Sequence, residues 1–240
     1  MAEKVREHEI YYARIAEQAE RYDEMAEHMK TAALLDADLD LEERNLLAVA
    51  YKQAVGQRRT SWRIVCAAER AEEEAGNRYN QGLAKAYRKQ IEAEMTKLCE
   101  NILALLKDTL IPRCKSADAE VSYRKAEGDY HRYICEISDD IAKTREANDA
   151  EHAYKAGTKA AEDSLLVTNQ FRLGLALNFA VFQYEVMRKP GDAVKTARKA
   201  FEDAVREIDN LNPQDAKDST IIMQLLRDNL ALWTANPDPE

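Results

Sequence analysis

Between Arg44 and Ala68, a chain of formal net charge −9 carries Arg44, Lys52, Arg58, Arg59 and Arg63 and not one acid. Lys52 and Arg59 are seven residues apart, two turns of a helix, so on a helix they project from one face. Cations ~6 Å apart repel by roughly 3 kcal/mol at an effective dielectric of 20. Something anionic has to offset that, either an acid elsewhere in the fold or a ligand. A second segment, Gly128-Asp129-Tyr130-His131-Arg132-Tyr133, sets an acid three residues before an arginine and a phenol just after it. Asp129 can orient the Arg132 guanidinium, while the Tyr133 hydroxyl can donate to the same anion. Two apolar stripes each hold an isolated amide: Leu175, Leu177, Asn178 and Val181, then Ile222, Leu225, Asn229 and Trp233. Such an amide is either a satisfied structural group or a hydrogen-bonding partner for the backbone of an extended peptide.

Other chemistry finds no footing. There is no GxGxxG, P-loop, GxSxG or kinase signature set. Cys66, Cys99, Cys114 and Cys135 lack the close spacing of zinc or redox motifs, and read as reduced thiols packed as small hydrophobes. His8, His28, His131 and His152 form no HExxH and no i, i+4 pair. No metal, no cofactor and no enzymatic activity are expected.

The elements that must position these residues are helical. Apolar residues recur every three or four positions and no stretch alternates with period two. The pattern predicts nine helices, at roughly 3–19, 22–35, 41–75, 79–109, 116–137, 139–164, 170–188, 192–209 and 216–234. Asp40 and Glu43 form a D-x-x-E capping box for the third helix. Gly76 can close it, and Pro112 is expected just beyond the fourth. Lys189-Pro190-Gly191 and Asn212-Pro213 are turn signals. Gly128, Gly157 and Gly174 fall inside helical patterns, where each costs ~1 kcal/mol relative to Ala, so a local packing reason is expected. A third helix of that length spans ~52 Å, against ~46 Å for a compact sphere of this chain length. The fold class that follows is all-α: antiparallel helices in an open, concave layer.

Composition narrows the function classes. Seven glycines and five prolines in 240 residues are too few for a many-turned β fold. The longest apolar run, from Arg172 to Phe182, falls well short of the ~20 residues of a membrane span. A pI near 5.2 argues against general nucleic-acid binding. The first ten residues hold no apolar stretch of the kind that marks a secretory signal. A cytoplasmic protein, with room for a nuclear share, is the expectation.

Five blocks make the chain recognisable: AEQAERYDEM (Ala16 to Met25), EERNLLAVAYKQAVGQRRTSWR (Glu42 to Arg63), GDYHRY, RLGLALNF (Arg172 to Phe179) and KDSTIIMQLLRDNLALWT (Lys217 to Thr234). In these the sequence resembles the 14-3-3 family over nearly its whole length. The resemblance implies a nine-helix, cup-shaped dimeric adaptor for phosphoserine or phosphothreonine motifs in extended client segments. On that basis residues 1–234 form one domain and 235–240 a short tail.

Residue by residue, the resemblance assigns Lys52, Arg59, Arg132 and Tyr133 to phosphate. It assigns Asn178 and Asn229 to the peptide main chain, Glu185 and Trp233 to auxiliary polar contacts, and Leu177, Val181, Ile222 and Leu225 to an apolar wall. Ile15, Ala19, Ser61, Val65 and Tyr87 match the dimer contact, and Arg21 with Glu94 matches an intersubunit ion pair. A second such pair is broken, since Glu24 would face Gln90 rather than Lys. The dimer is a homodimer, or a heterodimer with a paralogue. Further departures are Gln57 in place of a small residue and His131 in place of a second Tyr. If His131 packs near Arg132, it would sit among cations. The alternative to a phosphopeptide adaptor is a helical scaffold or holdase that binds partners without regard to phosphate.

Overall fold

Asp40 opens the longest helix in the way its spacing predicts. Its carboxylate accepts from the Glu43 N–H at 2.9 Å, and Glu43 accepts from the Asp40 N–H at 3.0 Å, so two otherwise orphaned donors are satisfied. The computed structural model describes residues 2–36, 38–211 and 213–235. Among them there is no strand, and the protein is all-α. Nine helices carry the fold: α1 (Ala2–Gln18), α2 (Tyr22–Leu35), α3 (Leu41–Glu74), α4 (Arg78–Leu105), α5 (Ala117–Ile137), α6 (Asp140–Ser164), α7 (Gln170–Glu185), α8 (Pro190–Glu207) and α9 (Pro213–Ala235). The expected tail lies, from residue 236 on, outside the described residues.

The expected boundaries hold to within a few residues, and the exceptions have causes. Gly76 closes α3 at φ +71°, a left-handed conformation that costs glycine little. The fourth helix ends earlier as an α-helix than its pattern predicts. From Leu106 to Leu110 it widens into a π turn, then ends in one α turn, Ile111–Arg113. Pro112 therefore sits within the helical run and not beyond it. Proline lacks the N–H for the i−4 carbonyl and its ring crowds that oxygen, and the wider turn relieves both. The seventh helix stops at Glu185 and not 188, because Arg188 turns to φ +56° ahead of Pro190, which takes the first position of α8.

The chain divides into two compact units, the first ending at Arg113 and the second starting at Cys114. In the first unit α1 packs on α2, α2 on α3 and α3 on α4. The buried side chains there include Met25, Met29, Leu47, Val55 and Met95, none more than 4% exposed. Arg6 ties α1 to the start of α3 through Glu43 at 2.6 Å.

In the second unit α6 packs on α5, α7 on both, and α8 and α9 on α7. One cluster centres on Tyr154, Phe179 and Phe182, whose ring centroids lie 5.3–6.5 Å apart, each such pair adding about 0.5–1.5 kcal/mol beyond burial. Two of the three mid-helix glycines have the expected packing reason. A Cβ on Gly128 would lie 2.7 Å from the Tyr154 ring, and one on Gly157 would meet Arg124 Cβ at 2.9 Å. Gly174 has only ordinary contacts, 3.9 Å or more away. The four cysteines are free, Cys99 and Cys135 buried and Cys66 and Cys114 half-buried.

Candidate functional site

On α5, the i, i+3 and i, i+4 spacing places Lys125, Asp129 and Arg132 on one face. Asp129 is the hub of a buried network. Its carboxylate accepts from Lys125 Nζ at 2.7 Å, from the Tyr154 hydroxyl at 2.6 Å and from Asn178 Nδ2 at 2.8 Å to each oxygen. Arg132 joins at 3.5 Å. Burial alone would raise the Asp129 carboxyl, but Lys125 and Arg132 outweigh it and hold the group below the usual carboxylate range. Burial likewise opposes the Arg132 charge, and is overcome by Tyr154, Asp129 and Tyr133, which hold the guanidinium above its ordinary range. Arg132 also lies 4.8 Å from the Tyr133 ring centroid, a cation–π contact. Its Nε–H is buried without a hydrogen-bond partner among the described residues. An arginine fixed in this way retains donor capacity for an anion.

Asp129 orients Arg132 as its spacing predicts. Asn178, however, is more than a free amide on an apolar stripe. Its NH2 group is committed to Asp129, which leaves the side-chain carbonyl as its acceptor for a ligand. Leu177, Val181 and Ile222 are half-buried and pack against the core formed by α7, α8 and α9. Leu225 is 49% exposed, Asn229 half-buried and Glu185 exposed. Trp233 is largely enclosed. It is 6% exposed and stacked on Tyr184 at 4.9 Å, so its indole serves mainly as core. On the opposite face of α7, a cavity of about 340 Å³ is lined by Leu173, Leu175, Phe179 and Gln183. Leu175, from the first apolar stripe, faces this cavity, whereas Leu177, Asn178 and Val181 do not line it.

In the first unit, Lys52 is exposed on α3 and makes no ion pair among the described residues, while Arg59 is half-buried. Arg58, from the same basic run, is spent internally. It makes two 2.8 Å hydrogen bonds to Asp23 and lies 3.5 Å from Glu94. Internal pairing, one of the two readings of the basic run, thus accounts for Arg58.

The residues assigned to a dimer contact also lie in this unit. Ile15 is 44% and Tyr87 57% exposed. Ala19, Ser61, Gln90 and Glu94 are exposed and Val65 half-buried. Ser61, Tyr87 and Glu94 share a polar hollow with Asp23, Gln57, Arg58 and Ile91. The expected intersubunit partners are engaged within the chain: Arg21 with Glu24, and Glu94 with Arg58 and with the Gln90 amide at 3.2 Å.

His131 is not among cations. Its Nδ1 is 2.7 Å from Glu146 Oε2, because the helical turn points it away from Arg132 and toward α6. Glu146, buried and also bonded by Arg145, had no signal in the sequence: it lies fifteen positions from His131, and only the packing of α5 on α6 joins them.

Comparison with known proteins gives the family. The family model for the 14-3-3 protein matches residues 12–234. A 14-3-3 protein homolog of Trichoderma harzianum is 51% identical over 227 residues, covering 95% of this chain and 87% of that protein. The 14-3-3-like protein GF14 epsilon of Arabidopsis thaliana is 48% identical over 238 residues, covering 99% of this chain and 94% of its own. The 14-3-3 protein epsilon of Drosophila melanogaster is 48% identical over 235 residues, covering 98% and 90%. With a likeness of this extent over both units, the chain belongs to the 14-3-3 family of regulatory adaptor proteins.

Proposed function

We propose that this protein is a dimeric adaptor in signal transduction that binds phosphoserine or phosphothreonine in extended segments of client proteins, in the cytoplasm and without catalysing a reaction. The observation that carries the reading is the state of Arg132: buried, kept ionised by Asp129, stacked on Tyr133, and with an N–H unused. A phosphate brings a charge of about −1.5 to −2 and three acceptor oxygens, the complement of such a donor. The family resemblance adds Lys52, Arg59 and Tyr133 as phosphate ligands. It gives Asn178 and Asn229 the peptide main chain, and Leu177, Val181, Ile222 and Leu225 the apolar flanks. Dimerisation would use Ile15, Ala19, Ser61, Val65 and Tyr87, of which Ile15 and Tyr87 are large apolar side chains left exposed.

Fluorescence anisotropy with a phosphoserine peptide and its unmodified twin tests the reading. The adaptor requires strong preference for the phosphorylated form, lost in Lys52→Glu, where repulsion replaces attraction at a cost on the order of 3–5 kcal/mol. Equal affinity for the two peptides would instead support a phosphate-independent scaffold, and wild-type affinity in Lys52→Glu would remove Lys52 from the site.

A further inference from the structure

The packing of α5 on α6 assembles a set of metal donors that no local spacing announces. His131 on α5 faces Glu146 on α6, with Nδ1 2.7 Å from Oε2. Asp149 follows Glu146 by three residues, on the same face of α6. The three side chains offer ligand atoms all within 4.8 Å of one another, and they are the one such group of histidine, cysteine or acid side chains among the described residues. We propose that His131, Glu146 and Asp149 form a binding site for a divalent transition-metal ion, with zinc as the best fit.

The donor chemistry selects the ion. One imidazole nitrogen and two carboxylate oxygens suit zinc, cobalt or nickel better than calcium or magnesium, which favour oxygen-only sites. Bonds near 2.1 Å in a tetrahedron place ligand atoms about 3.4 Å apart. The His131–Glu146 contact therefore opens by about 0.7 Å as the ion replaces the shared proton. Asp149 closes in, and it is free to do so: its carboxylate is exposed and makes no hydrogen bond or ion pair among the described residues. Three protein ligands leave a fourth position for water or an incoming side chain.

The surroundings hold the donors ready. Arg145 bonds the other oxygen of Glu146 at 2.8 Å, which aims Oε2 at His131 as an outer-shell partner would. Its guanidinium is 73% exposed on the side-chain scale, so solvent weakens its repulsion of an ion. Cys135, one turn after His131, stays outside the set, since its thiol donates to the Lys143 carbonyl at 3.6 Å. The ion would clip α5 to α6 inside the second unit.

The site is independent of phosphopeptide binding, so its test does not depend on that reading. Calorimetric titration of the full chain with zinc, in a non-chelating buffer, should show one equivalent bound, and cobalt should give visible d–d absorption of a four-coordinate site. His131→Tyr and Asp149→Asn should each weaken binding more than ~10-fold. Circular dichroism should show the fold of both variants unchanged. Asp149→Asn is the decisive variant, because a mere His131–Glu146 ion pair would not respond to it. Zinc binding unaltered in both variants, or no binding at all below millimolar zinc, would overturn the proposal.

Discussion

Replacing Asp129 with asparagine keeps the shape of the hub and removes its charge. The carboxylate serves four donor groups, from Lys125, Tyr154, Asn178 and Arg132, while an asparagine offers one acceptor oxygen and turns a second donor toward the others. Each cation is attracted to Asp129 by on the order of 5 kcal/mol before desolvation. Lys125, 31% exposed, can turn to water, whereas Arg132, 10% exposed, cannot. The loss is therefore governed by a guanidinium left buried without a counter-charge, at about 3–5 kcal/mol. For a chain of this size that lowers the melting temperature by about 6–20 °C. Circular dichroism melts measure it directly, with Asp163→Asn as control. Among the described residues that exposed acid pairs only with exposed Lys159, and its loss should matter little. Phosphopeptide affinity should fall along with stability, because the orientation of Arg132 is lost. An Asp129→Asn protein that melts within ~2 °C of the parent and binds phosphopeptide unchanged would refute the assignment of Asp129 as organiser.

Glycine-to-alanine changes should have opposite signs at two helical positions. Gly128→Ala forces a methyl group into the Tyr154 ring at 2.7 Å and should cost ~1–3 kcal/mol in urea titrations, while Gly82→Ala, with nothing within 4 Å, should stabilise by about 0.5–1 kcal/mol. Ser61→Glu, placing charge in the hollow shared with Tyr87 and Glu94, should shift the protein toward monomer in sedimentation equilibrium, and Gln90→Lys should strengthen the dimer. A wild-type monomer at all micromolar concentrations would contradict both. The hydrogen bond from Arg88 holds the Glu69 carboxyl below its ordinary range. Its contribution is thus present above the unfolded pKa near 4.3 and lost as pH falls through the lower folded value. Glu69→Gln should flatten that acid-side loss in pH-dependent melts.

The helices were legible because their signals are local. The Asp40–Glu43 box, Gly76 and the 3–4 apolar period each act within a turn or two of the chain, where backbone geometry alone decides contact. The same locality made Asp129 legible as a partner for Arg132, three residues away on one helix face. Where elements must pack, the sequence was silent. Nothing in it distinguished Arg58, spent on Asp23, from Lys52, left exposed. Asn178 and Tyr154 lie 49 and 25 residues from Asp129, yet both bond to it. Gly128 could be flagged as costly but not explained until the Tyr154 ring was seen against it. His131 shows the limit most plainly, since adjacency along the chain suggested Arg132 as its neighbour, whereas successive residues on a helix point about 100° apart. Its actual neighbours, Glu146 and Asp149, belong to another helix. Period and caps are properties of the chain, but the partners of a buried charge depend on which helix faces pack together, and that is decided by the tertiary structure.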